Sequence, residues 1–232
     1  MWIKICGNTN LGDAQMAAQL GADAVGFVFA PSVRQVTPAE VALITPHLPA
    51  NIERVGVFPA VTDDDAGAEE IARAAQQAGL TAVQLHGGVS LPLLQRLHQL
   101  LAGRIQIVQT VHWQVNADTD NSASVSHQLS EISGQGIAER VLIDSKVGLV
   151  TGGTGVSFDW DTARAVFTQP ACELRLIVAG GLRPDNVTEA IRRLDPWGVD
   201  VSSGVEAMPG RKSPEKIAAL ISNARKAKNS AS

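Results

Sequence analysis

The stretch that decides the fold is residues 174–206, LRLIVAGGLRPDNVTEAIRRLDPWGVDVSSGVE. Leu174–Ala179 is a nearly unbroken apolar run, the pattern of a strand covered on both faces. Gly180 and Gly181 end it. Asp185–Leu194 carries apolar residues at helical spacing, and Gly198–Val201 is a second apolar strand followed by Ser202, Ser203 and Gly204. A strand, a crossover helix and another strand make a βα repeat with a parallel pair, and here each strand runs into a glycine-bearing turn.

The same alternation extends over the chain. Further strands are predicted at Trp2–Cys6, Ala24–Phe29, Arg54–Phe58, Ala82–His86, Ile105–Val111 and Arg140–Asp144. Helices are predicted at Leu11–Leu20, Pro38–His47, within Asp64–Ala78, Leu91–Leu101, within Val125–Ala138, at Trp160–Phe167, and at the closing Pro214–Lys226. Eight βα units in 232 residues fit a single-domain α/β fold, a (β/α)8 barrel. The expected barrel spans residues 1–228, and 229–232 form a frayed tail. An open doubly wound sheet is the competitor, but the first βα turn, Cys-Gly-Asn-Thr-Asn at 6–10, lacks the GxGxxG fingerprint. The polar stretch Trp113–Ser126, WQVNADTDNSASVS, reads as a mobile surface loop on the C-terminal face.

Composition narrows the function classes. A chain that is 45% hydrophobic and 18% charged argues against disorder. A net charge of −4 makes nucleic acid a poor partner, while a single phosphate can still be held by backbone N–H groups. Two cysteines, Cys6 and Cys172, form neither a disulfide framework nor a four-ligand zinc site. No apolar run reaches the ~18–20 residues a membrane span needs. The opening MWIKICGNTN lacks a secretory pattern, so the cytoplasm is the expected location.

Active sites of (β/α)8 barrels are built at the C-terminal ends of the strands. There lie Cys6, Arg34, His86, Asp144 and Asp200. Glycine turns after the last two strands, carrying Gly180, Gly181, Ser203 and Gly204, can converge N–H groups on a phosphate, and Gly152-Gly153-Thr154-Gly155 can add to them. Asp144 reads as a general acid or as a salt-bridge partner of Lys146. Cys6 shares a strand face with Lys4, so it is a candidate base or an inert buried thiol. Arg34 suits a bidentate grip on a carboxylate or is a solvated loop charge. His86 can donate to a substrate oxygen or simply line the barrel. His47, His98, His112 and His127 show no ligand spacing along the chain, so no metal is assigned. Helix surfaces carry no clear self-complementary stripe, which leaves monomer and homodimer open.

The ordered set KICG (4–7), GADAVGFVF (21–29), SVRQV (32–36), VGVF (55–58), VQLHG (83–87), LIDSK (142–146), GGTG (152–155), FDW (158–160), AGGL (179–182) and GVDVSSGVE (198–206) resembles the phosphoribosylanthranilate isomerase family over nearly the whole chain. The resemblance implies an Amadori rearrangement in tryptophan biosynthesis, taking N-(5-phosphoribosyl)anthranilate to 1-(2-carboxyphenylamino)-1-deoxyribulose 5-phosphate without cofactor or metal. It implies Asp144 as general acid, Cys6 as general base, Arg34 on the anthranilate carboxylate and Asp200 against the substrate. Gly180, Gly181, Ser203 and Gly204 correspond to the phosphate cradle. Two features depart from the family pattern: Ser-Val-Arg-Gln at 32–35 stands where Ser-Pro-Arg-Tyr is frequent, and the 113–126 stretch is longer. Other phosphate-binding barrels fit less well. The histidine-pathway sugar-phosphate isomerases have two similar half-barrels with an aspartate in each, and indole-glycerol-phosphate synthases rely on lysine and glutamate pairs at strand ends. A non-catalytic phosphate-binding barrel is the remaining reading, and it would tolerate loss of Asp144 and Cys6.

Overall fold

The computed structural model describes residues 1–229 except 60, 62–64, 114, 117–118, 121, 146–163 and 166–173. Eight parallel strands close into a barrel: β1 (Trp2–Ile5), β2 (Ala24–Val28), β3 (Glu53–Phe58), β4 (Ala82–Leu85), β5 (Gln106–Trp113), β8 (Arg140–Ser145), β9 (Arg175–Ala179) and β10 (Gly198–Val201). Between β5 and β8 lies a small antiparallel ribbon of β6 (Val115–Asn116) and β7 (Thr119–Asp120). Another such ribbon, β11 (Glu206–Met208) with β12 (Arg211–Lys212), follows the last barrel strand. The helices are α1 (Leu11–Gln19), α2 (Pro38–Ile44), α3 (Asp65–Gln77), α4 (Leu91–Leu101), α5 (Ser122–Gln135), α6 (Val187–Leu194) and α7 (Pro214–Asn229).

Strand alternation divides the core in two. Ile3, Ile5, Val25, Phe27 and Val83 face outward and merge with α1, α3, α4, α6 and α7 in one continuous apolar layer. The inward parity carries Ala24, Val55 and Ala82 on one side and Val108, Leu142, Ile177 and Ala179 on the other. Helix starts follow local chemistry. Asn10 accepts from the Asp13 N–H, and Thr37 with Glu40 forms a reciprocal capping box ahead of Pro38.

The 113–126 stretch is a correction. Trp113 ends β5 with 1% of its surface exposed, on the outward parity of Ile107 and Val111. The chain then forms the β6–β7 ribbon, and α5 starts at Ser122 rather than within Val125–Ala138. Clustered Asn, Asp and Ser start helices as readily as they fill loops, and that composition hid the helix start. The closing helix continues to Asn229, past the expected Lys226. Of the helix predicted at Trp160–Phe167, residues 164 and 165 are helical and the rest lies outside the described residues, as do Lys146, Gly152–Gly155 and Cys172.

Candidate active site

Strand register brings the first group together. Lys4 and Asp200 are Cα partners on β1 and β10. Their inward side chains meet, with Lys4 Nζ donating to Asp200 Oδ2 at 3.0 Å and to Gln84 Oε1 at 2.7 Å. Gln84 in turn donates to Thr110 Oγ1 at 3.2 Å. Burial pulls the Lys4 ammonium down, but Asp200 and Cys6 outweigh it and hold the lysine above its ordinary value. Asp200 Oδ1 is buried without a hydrogen-bond partner among the described residues. Such an oxygen is costly to leave unpaired and is suited to an incoming hydroxyl.

Cys6 follows β1 on the same inward parity as Lys4 and is buried. Gly26 on the neighbouring strand makes room for both: a Cβ there would stand 2.7 Å from Cys6 Sγ and 2.8 Å from Lys4 Cε. Burial pushes the Cys6 thiol up. The Lys4 and Lys212 ammoniums pull it down and Asp200 pushes it up, leaving it above the ordinary thiol value.

Across the mouth, Asp144 and His112 are Cα partners on β8 and β5. His112 Nδ1 lies 3.8 Å from Asp144 Oδ2. The His112 Nε2–H donates to the His86 carbonyl at 3.0 Å, and the two rings meet edge to face at 4.6 Å. Burial, then His112, pushes the His86 imidazole below its ordinary value, so it is neutral at neutral pH.

Arg34 is tied to the β11–β12 ribbon. Its Nε and Nη2 donate to the two Glu206 oxygens at 2.7 Å each. Lys212 Nζ also donates to Glu206 Oε1, at 3.1 Å, and to the Ser202 carbonyl. The Glu206 hydrogen bonds raise Arg34 against its burial. Burial pushes Glu206 up, yet Arg34 and Lys212 bring it below the ordinary carboxylate range. With one edge of the fork on Glu206, the Nη1 edge remains to meet an anion.

The glycine turns complete the rim. Gly180 and Gly181 turn the chain after β9 with φ of 97° and 63°. Asn186 braces this turn, accepting from the Arg183 N–H at 2.7 Å and donating to the Gly181 carbonyl at 3.0 Å. Ser203–Val205 forms a single 3₁₀ turn after β10. Gly204 packs so closely on the other turn that a Cβ would fall 1.8 Å from the Leu182 carbonyl oxygen.

One cavity of about 410 Å3 is lined by Cys6, Arg34, His86, Asp144, Asp200, Gly180, Gly181, Ser203 and Gly204, so the structure gathers these nine residues named from the sequence, while the Gly152–Gly155 turn lies outside the described residues. Gln84 also lines the cavity, and Glu206, Lys212 and His112 stand behind it; these four were not named as partners, whereas Lys4 was placed on the Cys6 face of its strand without its link to Asp200. Lys4 and Asp200 could be paired only through register across 196 residues. Glu206 stands two residues past Gly204, a charge at a strand-end turn, and that was the one available signal for it.

Fold and site together define a (β/α)8-barrel enzyme with titratable side chains around a glycine-rimmed mouth. The family model described as N-(5′phosphoribosyl)anthranilate (PRA) isomerase matches residues 3–223. The Citrifermentans bemidjiense N-(5′-phosphoribosyl)anthranilate isomerase is 39% identical over 97% of each chain, and that of Thermotoga petrophila 38% identical over 96% of this chain and 98% of its own. Among solved structures, the Thermotoga maritima phosphoribosyl anthranilate isomerase superposes with a TM-score of 0.76 at 36% identity, covering 97% of this chain and 99% of that one. Another, in complex with reduced 1-(o-carboxyphenylamino)-1-deoxyribulose 5-phosphate, gives a TM-score of 0.75 at 34% identity with the same coverage. The chain belongs to the phosphoribosylanthranilate isomerase family and is an isomerase of tryptophan biosynthesis. No described helix is long and apolar enough to cross a membrane.

Proposed function

We propose that this chain converts N-(5-phosphoribosyl)anthranilate into 1-(2-carboxyphenylamino)-1-deoxyribulose 5-phosphate, with Asp144 as general acid and Cys6 as general base. The observation that carries the reading is that Asp144 and Cys6 open onto one cavity with Arg34, Asp200 and the two glycine turns. A protonated Asp144 gives its proton to the ribose ring oxygen. The C1′–O bond breaks with its electron pair on that oxygen, and the anilino nitrogen lone pair forms the C=N bond of a cationic Schiff base. Cys6, as thiolate, removes the C2′ proton. The C–H pair becomes the C1′=C2′ bond while the C=N pair returns to nitrogen. In ketonisation the C2′ hydroxyl returns its proton to Asp144, the O–H pair becomes the C2′ carbonyl, and the C1′=C2′ pair takes a proton at C1′ from the Cys6 thiol, which restores both groups. Two titratable groups served by different surroundings suit this exchange.

The thiolate forms against burial, so its base strength is high once formed. Lys4 and Lys212 supply positive charge from the protein, and the Schiff base adds its own as the proton is taken. On this reading the unpaired Asp200 Oδ1 accepts from a ribose hydroxyl, the Nη1 edge of Arg34 holds the anthranilate carboxylate, and the N–H groups about Gly180, Gly181, Ser203 and Gly204 hold the phosphate. Phosphate binding at that distance from the reacting carbons keeps the sugar in register.

The test is turnover of freshly generated phosphoribosylanthranilate, followed by fluorescence. Expected is saturable consumption with formation of the carboxyphenylamino ketose. A folded chain that binds a product analogue without turning substrate over would overturn the reading in favour of a binding barrel. The Thermotoga maritima relative is described as dimeric. We propose a monomer or homodimer in the cytoplasm for this chain, to be read from sedimentation and fractionation.

A further inference from the structure

We propose that the barrel mouth holds a divalent transition-metal site built from His86, His112 and Asp144. Among the described residues these three form the one group of His, Cys, Asp or Glu side chains whose ligand atoms, one from each, all lie within 4.8 Å of one another. They come from adjacent barrel strands, β5 and β8 in register at His112 and Asp144, with His86 just past β4. Spacing along the chain could not reveal them, because barrel closure makes the cluster.

Three observations point to a cation. The first is outer-shell geometry. A carbonyl oxygen only accepts, so the His86 carbonyl fixes the hydrogen of His112 on Nε2. In the neutral ring Nδ1 is then a lone pair, and it faces Asp144 Oδ2 at 3.8 Å. Metal-bound histidines use this arrangement, giving the second N–H to a carbonyl or carboxylate. The second is His86. Its Nδ1 is buried with no hydrogen-bond partner among the described residues, a ring nitrogen left without a bond inside the cluster. The third is local charge. Lys4 and Asp200, the nearby ion pair, engage each other at 3.0 Å, and Asp144 is the one carboxylate among the three clustered side chains.

The donor set selects the ion. Two imidazoles and one carboxylate suit Zn2+, Co2+ or Ni2+, whereas Mg2+ and Ca2+ prefer oxygen throughout. Ligands at about 2.0–2.1 Å in a tetrahedron stand about 3.4 Å apart, so the set draws in by roughly an ångström on binding, within reach of side-chain torsions. Remaining coordination positions open to the cavity that His86 and Asp144 line. The proposed reaction uses no metal, so an ion here takes the carboxylate assigned as acid and blocks turnover. That consequence alone rests on the functional reading.

The experiment uses the full, chelator-treated chain. Co2+ titration is followed by visible d–d absorption and Zn2+ by calorimetry, with substrate turnover measured in parallel. One-to-one binding is expected, weakened by more than about 100-fold in His112→Phe and in His86→Phe, beyond the 10–100-fold carried by outer-shell partners. Cys6→Ser is expected to keep the Co2+ spectrum. Circular dichroism and thermal melting show that each variant is folded. Absence of both signals in the native chain, or undiminished binding in folded His112→Phe, overturns the site. Binding that depends on His112 but leaves turnover untouched upholds the site and removes the acid role of Asp144. No binding together with an inactive Asp144→Asn removes the site and leaves that role intact.

Discussion

At the floor of the barrel Arg140 donates to Glu53 at 2.8 Å, and the Trp2 indole N–H donates to the same carboxylate oxygen at 3.0 Å. Trp2 stacks on Trp197 at 5.4 Å, the Arg140 guanidinium lies 5.6 Å from the Trp2 ring centroid, and Arg175 lies 5.5 Å from that of Trp197. At the mouth, Lys4 meets Asp200 and Arg34 meets Glu206 with equally short contacts. The floor cavity is the larger, at about 550 Å3 against 410 Å3, so size does not separate the two ends. Completion does. Among the described residues no buried polar side-chain atom lining the floor cavity lacks a partner, whereas the mouth leaves Asp200 Oδ1 and His86 Nδ1 open. Polar groups matched within the chain stabilise it, and those left unmatched at a cavity wall are available to a ligand.

The largest expected effect tests the mouth. Asp144→Asn and Cys6→Ala should each lower kcat by about 10²–10⁴-fold while the melting temperature stays near the parent value. Turnover at the parent rate in either would erase the distinction between the two ends. Next comes pH. Lys4 on β1, Asp200 on β10 and Lys212 on β12 face Cys6; burial, helped by Asp200, outweighs the pull of the two lysines and holds the thiol above the ordinary value. The base form therefore gains population as pH rises, and kcat/KM should climb through neutrality toward and beyond the ordinary thiol range of about 8.5. A flat profile from pH 6 to 9 would disqualify the thiol as base.

The fold was legible because the strands are short apolar runs separated by helical periodicity, and because Gly180, Gly181 and Gly204 punctuate the last turns. Nine residues of the cavity lining were legible because barrel chemistry gathers at the C-terminal strand ends. Their partners were not. Whether Lys4 meets Asp200, or His112 meets Asp144, depends on strand register, which the chain sets by closing around itself. Glu206 and Lys212 sit on a ribbon outside the barrel repeat, so no periodicity announces them. Trp113 was misread because its polar neighbours outweighed its own parity in β5.

Smaller effects sharpen the contrast. Arg34→Lys keeps the charge and loses the fork, so KM should rise by about 10–100-fold with kcat little changed, matching one charge-assisted contact of about 1.5–3 kcal/mol. An unchanged KM would detach Arg34 from the substrate carboxylate. At the floor, Arg140→Ala removes the partner of Glu53 and the cation over Trp2. It should cost about 1–3 kcal/mol in denaturant unfolding and leave kcat/KM as it was. A fall in kcat/KM there would show that the floor contributes to turnover as well as to stability.

The smallest expected effect concerns Glu206, where the mouth behaves like the floor. Arg34 and Lys212 outweigh burial and hold this carboxylate below its ordinary value. Its contribution to stability is therefore complete above the ordinary value of about 4.3 and is lost as pH falls through that value toward the lowered one. Glu206→Gln removes that contribution and leaves the buried Lys212 ammonium without its counter-charge. The variant should melt below the parent at pH 7, and the gap should close as pH drops from about 5 to 3, because the parent loses at acid pH what the variant already lacks. A gap that stays constant over that range would mean that Glu206 supports the fold through packing alone. Arg34 would then need another explanation for its fixed orientation.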